Sequence, residues 1–130
     1  MKLLDLSNVT AVCIDGRPLT REKLLQYSQI VKYMRSTINF AEIKLLMETD
    51  PEIDGATFVK IGKIDSLEEY SQFCLSSLSD HVSTDFCMIF QDDGFIINPE
   101  LWRQVFLSYD YIGAPWPPLR PWPEPDRLLS

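Results

Sequence analysis

The sequence predicts an α/β fold with a mainly parallel, Rossmann-like sheet, because apolar strand segments alternate with amphipathic helical segments. Residues 9–14 are a β-branched, apolar run that ends at Asp15 and Gly16. Residues 85–90 are predicted as another strand, in which five apolar residues follow Asp85 and precede a pair of adjacent carboxylates. Between these runs, Ser66 begins a stretch whose apolar residues recur at helical spacing. These three observations indicate strands and helices of one layered domain.

The first helix is predicted to start at Pro18 and Thr20, with its charged residues left for the solvent side. Residues 38–47 follow as the second strand and residues 56–64 as the third strand candidate. Lysines in the third candidate favour a position at the sheet edge, where charged side chains are common. The apolar residues of the helix are Leu24, Tyr27, Val31 and Met34, and the strand lysines are Lys60 and Lys63.

Two further helices are predicted from their starting residues. Ser66 and Glu69 form a capping box, in which a serine N-cap is followed three residues later by a glutamate. Asn98 and Pro99 predict the start of the last helix, because proline suits the first helical position. The apolar stripes are Leu67, Tyr70, Phe73, Cys74 and Leu78 in one helix, and Trp102, Val105, Phe106 and Tyr109 in the other.

The end of the chain has a different composition. Six of the nine prolines lie between Pro115 and Pro125, so this part cannot continue a helix or a central strand. We therefore divide the chain into a domain of residues 1–116 and an extended, proline-rich tail of residues 117–130. The tail is either a plain linker or a polyproline ligand for an aromatic groove.

Composition limits the classes of function. With 130 residues, of which 45% are hydrophobic, the chain can bury the core of one globular domain. A net charge of −7 argues against a general nucleic-acid binder. No run approaches the roughly 20 apolar residues of a membrane span, and no export signal is evident. Three cysteines without metal or disulfide spacing indicate a reducing compartment, so we expect a cytoplasmic protein: Cys13, Cys74 and Cys87.

The candidate chemistry is that of carboxylates, because the phosphate-loop, dinucleotide-binding and nucleophile-elbow motifs are missing. Asp92 and Asp93 follow a buried strand, where paired carboxylates suit Mg²⁺ or Mn²⁺ carrying a diphosphate. The alternative is a β-hairpin turn in which Gly94 supplies a positive φ. Asp15 ends the first strand and is a candidate for binding a base or ribose, or else a turn aspartate before Gly16. One histidine, His81, excludes a His-rich zinc site and fits a cation at a helix C-terminus.

Residues 70–116 also contain a dense set of short motifs. They run from a Tyr-x-x-Phe helix through Thr-Asp-Phe and Gln-Asp-Asp-Gly-Phe to Asn-Pro and Tyr-Asp-Tyr-Ile-Gly-Ala-Pro-Trp. The motifs stand at Tyr70 and Phe73, 84–86, 91–95, 98–99, Trp102 and 109–116. In these motifs and in its first strand, the chain resembles a family of uncharacterised, glycosyltransferase-like proteins. The resemblance covers most of residues 5–116.

The resemblance implies a GT-A type fold, in which an acidic D-x-D-like motif after a core strand binds a metal ion and a nucleotide-sugar. Gln91 stands at the first position of that motif, so that Asp93 would be the direct metal ligand. Asp92 would support the ribose or a metal-bound water. Asp110 and Trp116 lie in the last motif, which would line the same cleft or belong to the core. The implied cofactor is Mn²⁺ or Mg²⁺.

After Trp116 the chain departs from the family pattern, which continues with a segment that builds the acceptor side. The resemblance therefore implies an incomplete N-terminal, donor-binding half, with an unknown acceptor and a possible partner subunit or self-association. Our first hypothesis is a glycosyltransferase-like domain that binds a nucleotide-diphosphate sugar, with transfer activity only if the missing half is supplied. The alternative is a non-catalytic remnant or a protein-interaction domain.

Overall fold

The structure, a computed structural model, describes residues 3–92 and 94–112. In these residues a four-stranded sheet has the strand order β3-β2-β1-β4, and every neighbouring pair is parallel. The prediction of an α/β, Rossmann-like fold with a parallel sheet is confirmed. The strands are β1 (Leu4–Asp15), β2 (Ile38–Met47), β3 (Thr57–Lys60) and β4 (Phe86–Ile89), and the α-helices are α1 (Arg21–Thr37) and α2 (Leu67–Ser76).

The central strand β1 has seven consecutive buried residues, from Val9 to Asp15. A strand that is covered on both faces needs such a continuous apolar run, because neither face meets water. β1 begins earlier than the predicted residue 9. Its first residues, 4–6, pair with β2, and a register shift between Leu6 and Thr10 accommodates the polar residues between them. Strand β2 has the predicted bounds, and β4 is one residue shorter at each end than predicted.

Helix α1 covers one face of the sheet. Its N-cap is Thr20, whose side chain accepts a hydrogen bond from the backbone N–H of Lys23 at 3.2 Å, so the predicted start is confirmed. The apolar stripe of α1 packs on one set of alternating side chains of β1, which includes Ala11 and Cys13. The buried residues of α1 are Tyr27, Ile30, Val31 and Met34.

Helix α2 lies on the opposite face, against Val12 and Ile14 of β1. Its N-cap is the predicted Ser66, whose side chain accepts from the backbone N–H of Glu69 at 3.1 Å. No residue of α2 is fully buried, so this face is covered less completely than the α1 face. Within residues 3–92 and 94–112, no helix has the length and apolar character that crossing a membrane requires.

The third strand confirms the predicted edge position but is shorter than predicted. β3 pairs with β2 alone in the described sheet. Its pairing stops at Lys60, whose side chain reaches back to the carbonyl oxygen of Glu48 at 2.9 Å. Ala56 lies before β3, and residues 61–64 of the predicted strand form the loop that leads to α2.

The helix predicted after Asn98 is wrong. Two short 3-10 helices (Pro99–Leu101 and Gln104–Ser108) occupy this region, and the Asn98 side chain makes no capping hydrogen bond. Trp102 and Leu107 both pack against the core cluster beneath α1. Residues five apart point about 140° apart around an α-helix, so a continuous helix could not direct both side chains to that core. The backbone is extended at Trp102 and Arg103, and this break between the two short helices lets Trp102 and Leu107 both reach the core.

The loop after β1 passes closely beneath the loop before α2. The backbone N–H of Ile64 donates to the carbonyl oxygen of Gly16 at 3.2 Å. A Cβ atom at Gly16 would lie 2.5 Å from the nitrogen of Ile64 and 2.7 Å from its Cβ, which is too close for any real side chain. Glycine is therefore required here for close approach.

We expect Gly16→Ala to destabilise the fold by about 1–3 kcal/mol, because the added methyl group must displace the backbone at Ile64. Gly62→Ala is the matched control, since a Cβ at Gly62 has nothing within 4 Å. Urea unfolding of both variants measures the difference. The prediction fails if the two variants show the same midpoint of unfolding.

Candidate functional site

The candidate site lies at the carboxyl ends of two neighbouring parallel strands, β1 and β4. Asp15 is the last residue of β1, and Asp92 follows β4 by three residues. Because the strands are parallel, both ends reach the same edge of the sheet, where ligands of open α/β sheets bind. Arg17 connects the two carboxylates: its Nη2 atom lies 2.9 Å from Asp15 Oδ2 and 3.7 Å from Asp92 Oδ2.

Asp15 is a buried carboxylate with several partners. The residue is 7% exposed, and Arg17 binds it in a bidentate manner, with Nε 2.9 Å from Oδ1 and Nη2 2.9 Å from Oδ2. The hydroxyl of Tyr27 donates to Oδ2 at 2.6 Å, and the ammonium of Lys23 lies 3.6 Å from the same atom. The backbone N–H of Arg17 donates to Oδ1 at 3.1 Å, so Asp15 is the turn aspartate of the alternative prediction.

The partners of Asp15 keep it ionised. Burial alone would raise the pKa of Asp15, but the hydrogen bonds from Arg17 and Tyr27 outweigh it and lower this pKa to about 2. Burial raises the pKa of Tyr27, so its hydroxyl stays protonated and continues to donate to Asp15. Burial likewise raises the pKa of the neighbouring Cys13 to about 12. At neutral pH these groups therefore form a fixed support rather than a proton-transfer system.

Asp92 lies in a tight turn. The backbone N–H of Gln91 donates to the carbonyl oxygen of Gly94 at 2.9 Å, and the N–H of Gly94 donates back at 3.2 Å. These bonds form an antiparallel bridge, as the hairpin alternative predicts, but the φ of Gly94 lies outside the positive region that the alternative requires. The side chain of Asp92 is 24% exposed. Its neighbour Asp93, the predicted metal ligand, lies outside the described residues.

The side chains of Gln91 and Asp92 lie on opposite faces of the sheet, Gln91 on the α2 face and Asp92 on the α1 face. The amide of Gln91 donates to the hydroxyl of Tyr70 at 3.3 Å, and Tyr70 packs on the α2 face. His81 also lies on that side, where its ring stacks on Phe73 at a centroid distance of 6.0 Å. Asp92 instead faces α1. The structure therefore separates Gln91 and His81 from the pair of Asp92 and Arg17.

Asp92 borders a groove of about 470 Å³ between α1 and residues 94–97. One wall is aromatic, because Tyr33 contacts Phe95 edge-on at a centroid distance of 6.1 Å. The Tyr33 hydroxyl donates to the carbonyl oxygen of Ile97, which joins the helix to the segment after the turn. The groove residues are Gln26, Gln29, Ile30, Tyr33, Asp92, Phe95 and Ile97. An apolar groove with few polar groups is typical of a small-molecule site.

Comparison with known proteins identifies the family. The model of DUF5672, described as a protein of unknown function, matches residues 55–127, which are more than half of the chain. The chain belongs to the DUF5672 family. No curated protein and no solved structure matches it. The DUF5672 match includes the Gln91–Gly94 turn and begins after Asp15 and Arg17, so the part of the site contributed by β1 and α1 lies outside it.

Of the two other predicted residues of this DUF5672 protein, Asp110 lies within the described residues and Trp116 does not. Asp110 is exposed, and no hydrogen bond or ion pair in the described part of the chain joins it to Asp15, Arg17 or Asp92. Its neighbour Tyr111 is 86% exposed. Trp116 and the predicted tail of residues 117–130 lie outside the described residues.

Sequence reasoning missed the cations and most of the groove. The sequence predicts Tyr27 as part of a core stripe, and Tyr27 is buried, but its hydroxyl also donates a hydrogen bond to Asp15. Arg17 follows Asp15 by two residues, a spacing that suits an aspartate turn, and this was the available signal. Lys23, Gln26 and Gln29 do not belong to any recognisable sequence motif, so the sequence alone did not indicate them as site residues. Their role depends on where α1 lies relative to the end of β1.

We expect the stability that Asp15 contributes to depend on pH between about 2 and 4. Because folding lowers the pKa of Asp15 from 3.8 to about 2, its stabilisation is fully present above pH 4 and is lost as the pH falls toward 2. The shift corresponds to about 2 kcal/mol at neutral pH. Urea unfolding of the natural chain and Asp15→Asn should therefore differ most above pH 4.

The control is Asp65→Asn, because Asp65 is 62% exposed and forms a surface ion pair with Lys63. We expect that variant to follow the natural chain at every pH. A difference between the natural chain and Asp15→Asn that stays constant from pH 7 to pH 2 would contradict the assigned ionisation of Asp15.

Proposed function

We propose that this DUF5672 domain binds a nucleotide-diphosphate sugar at the carboxyl edge of its sheet and acts as the donor-binding part of a glycosyltransferase. The observation that carries the proposal is the meeting of Asp92 and Arg17, from two parallel strand ends, beside an apolar groove. In open α/β sheets, ligands enter at this edge. A carboxylate beside a guanidinium suits a ligand that carries both a metal ion and a phosphate, because the carboxylate can bind the metal ion and the guanidinium the phosphate.

The groove supports the organic part of this ligand. Its volume of about 470 Å³ lies within the range of small-molecule sites. Tyr33 and Phe95 offer ring surfaces for a flat base or the apolar face of a sugar. Gln26 and Gln29 each offer an amide that both donates and accepts hydrogen bonds, which suits hydroxyl and carbonyl groups.

The carboxylate chemistry fits a metal ion that arrives with its phosphates. Residues 3–92 and 94–112 contain no group of three or more metal-ligating side chains, so these residues do not form a complete metal cage. Mg²⁺ is commonly held by one or two carboxylates, with phosphates and waters as the other ligands. Asp92 would supply one carboxylate, and Asp93 is its sequence neighbour. A bound metal ion would neutralise the charge of a departing diphosphate.

Asp15 has a supporting role in this proposal. Both of its carboxylate oxygens already accept hydrogen bonds from Arg17 and Tyr27. A base or ribose would have to displace these bonds in order to bind Asp15 directly. We therefore assign the ligand-facing positions to Arg17 and Asp92, and we assign the orientation of Arg17 to Asp15.

A second candidate function is an interaction domain without catalysis. Several apolar side chains after the turn that follows β4 are exposed, and exposed apolar surface is a feature of interaction sites. These side chains are Ile97, Leu101, Val105, Tyr109, Tyr111 and Ile112, which are 46–86% exposed. This candidate predicts binding to a protein surface and no binding to nucleotide-sugars.

We expect calorimetric titration with uridine or guanosine diphosphate sugars to show binding that requires Mn²⁺. Asp92→Asn keeps the shape of the side chain and removes its charge, so it should weaken binding at least tenfold and abolish the dependence on Mn²⁺. Asp65→Asn, an exposed carboxylate in a surface ion pair, is the charge-matched control and should bind like the natural chain.

If the natural chain binds neither class of nucleotide-sugar in the presence of Mn²⁺, the donor-binding proposal is wrong. Sedimentation of the same samples then tests the interaction candidate, which predicts self-association or capture of a partner. Equal binding by the natural chain and Asp92→Asn would instead show that the ligand lies away from this edge.

A further inference from the structure

The guanidinium of Arg17 is held in one orientation by a bidentate ion pair. Its Nε and Nη2 atoms each lie 2.9 Å from a different oxygen of Asp15. A planar guanidinium that shares two hydrogen bonds with one carboxylate loses the freedom to rotate about its side-chain bonds. The direction of its remaining N–H groups is therefore set by the position of Asp15.

Asp15 is itself held in place by a hydrogen bond from Tyr27 of α1. Its side chain is 5% exposed, and its Oδ2 atom accepts from Tyr27 at 2.6 Å. Tyr27 lies on α1 and is 1% exposed, so the support for Arg17 reaches into the hydrophobic core. The ammonium of Lys23, 3.6 Å from Asp15, adds a second positive charge on the same carboxylate. Arg17 and Lys23 therefore balance the two carboxylates of Asp15 and Asp92.

Arg17 keeps donors free for a ligand. Its side chain is 55% exposed, and its Nη1 atom makes no hydrogen bond to any residue within 3–92 and 94–112. A guanidinium has five N–H groups, of which Asp15 uses two. The distance of 3.7 Å from Nη2 to Asp92 is longer than a hydrogen bond. A ligand oxygen close to the Arg17 guanidinium could therefore accept hydrogen bonds that are shorter than the 3.7 Å contact between Arg17 and Asp92.

We propose that Arg17 binds the diphosphate group of the ligand at this edge, with Asp15 and Tyr27 as positioning residues. The identity of the whole ligand rests on the proposed function, whereas the anion-binding role rests on the geometry of Arg17. A diphosphate accepts charge-assisted hydrogen bonds from the exposed side of the guanidinium. Asp92 would hold a metal ion that the diphosphate carries, so that this ion and Arg17 would together neutralise the diphosphate.

Calorimetric titration with inorganic pyrophosphate and Mg²⁺ tests this role, and uridine, which has no phosphate, is the second probe. Arg17→Gln should weaken pyrophosphate binding at least tenfold. Arg17→Lys keeps the charge but loses the bidentate geometry, so it should weaken binding at least threefold. Uridine binding should be equal in all chains. Lys32→Gln removes one exposed positive charge from another part of α1 and should leave pyrophosphate binding unchanged.

A double-mutant cycle tests the positioning role. Tyr27→Phe should weaken pyrophosphate binding about threefold when Arg17 is present and should have no effect in the Arg17→Lys background. A role of Tyr27 in stability alone would give the same change in both backgrounds. If Arg17→Gln does not fold, as judged by near-ultraviolet circular dichroism, Arg17→Lys decides the outcome, because it keeps a cation beside Asp15.

The outcomes separate this inference from the proposed function. If the natural chain binds nucleotide-sugars and the Arg17 variants bind them and pyrophosphate equally well, the role of Arg17 is refuted and the donor-binding proposal stands. If pyrophosphate binding depends on Arg17 but nucleotide-sugars do not bind, the anion site stands and the donor-binding proposal falls. If the natural chain binds neither pyrophosphate nor a nucleotide-sugar, both are refuted.

Discussion

The candidate site depends on the hydrogen bonds that Arg17 and Tyr27 donate to the buried carboxylate of Asp15. A charge with 7% exposure at the end of a central strand is costly unless it is paired and hydrogen-bonded. Here Tyr27 from α1 and Arg17 from the connecting loop provide these partners. The same contacts that satisfy Asp15 join the end of β1 to the helix that follows it. Stability and the geometry of the site therefore have a common origin.

The two aspartates at the carboxyl edge of the sheet, Asp15 and Asp92, have different roles in this arrangement. Asp15 is fully engaged and orients a cation, whereas Asp92 is partly exposed and borders an open groove. The sequence alone predicts a ligand contact for each of these strand-end carboxylates, with a turn position as the alternative for each. In the folded chain, burial and hydrogen bonding give one of them a supporting role and leave the other available. The proposed donor site follows from this difference.

Where the sequence prediction succeeded, the signals were local. The caps at Thr20 and Ser66 satisfy backbone N–H groups within three residues, so the helix starts could be located from neighbouring residues alone. The prediction of a helix after Asn98 failed because its outcome depends on distant contacts. Trp102 and Leu107 pack on a core made by β1, β2 and α1, and that core overrides the local preference for a helix.

The sequence by itself determined the alternation of strands and helices, the parallel sheet and the placement of Asp92 at a strand end. These features depend on apolar periodicity and on capping residues, which are properties of short segments. Only the tertiary structure decided that Arg17 lies between Asp15 and Asp92, and that α1 and residues 94–97 enclose a groove beside them. Asp92 and residues 94–97 are far in the chain from Arg17 and α1, and their distances are set by sheet pairing and core packing.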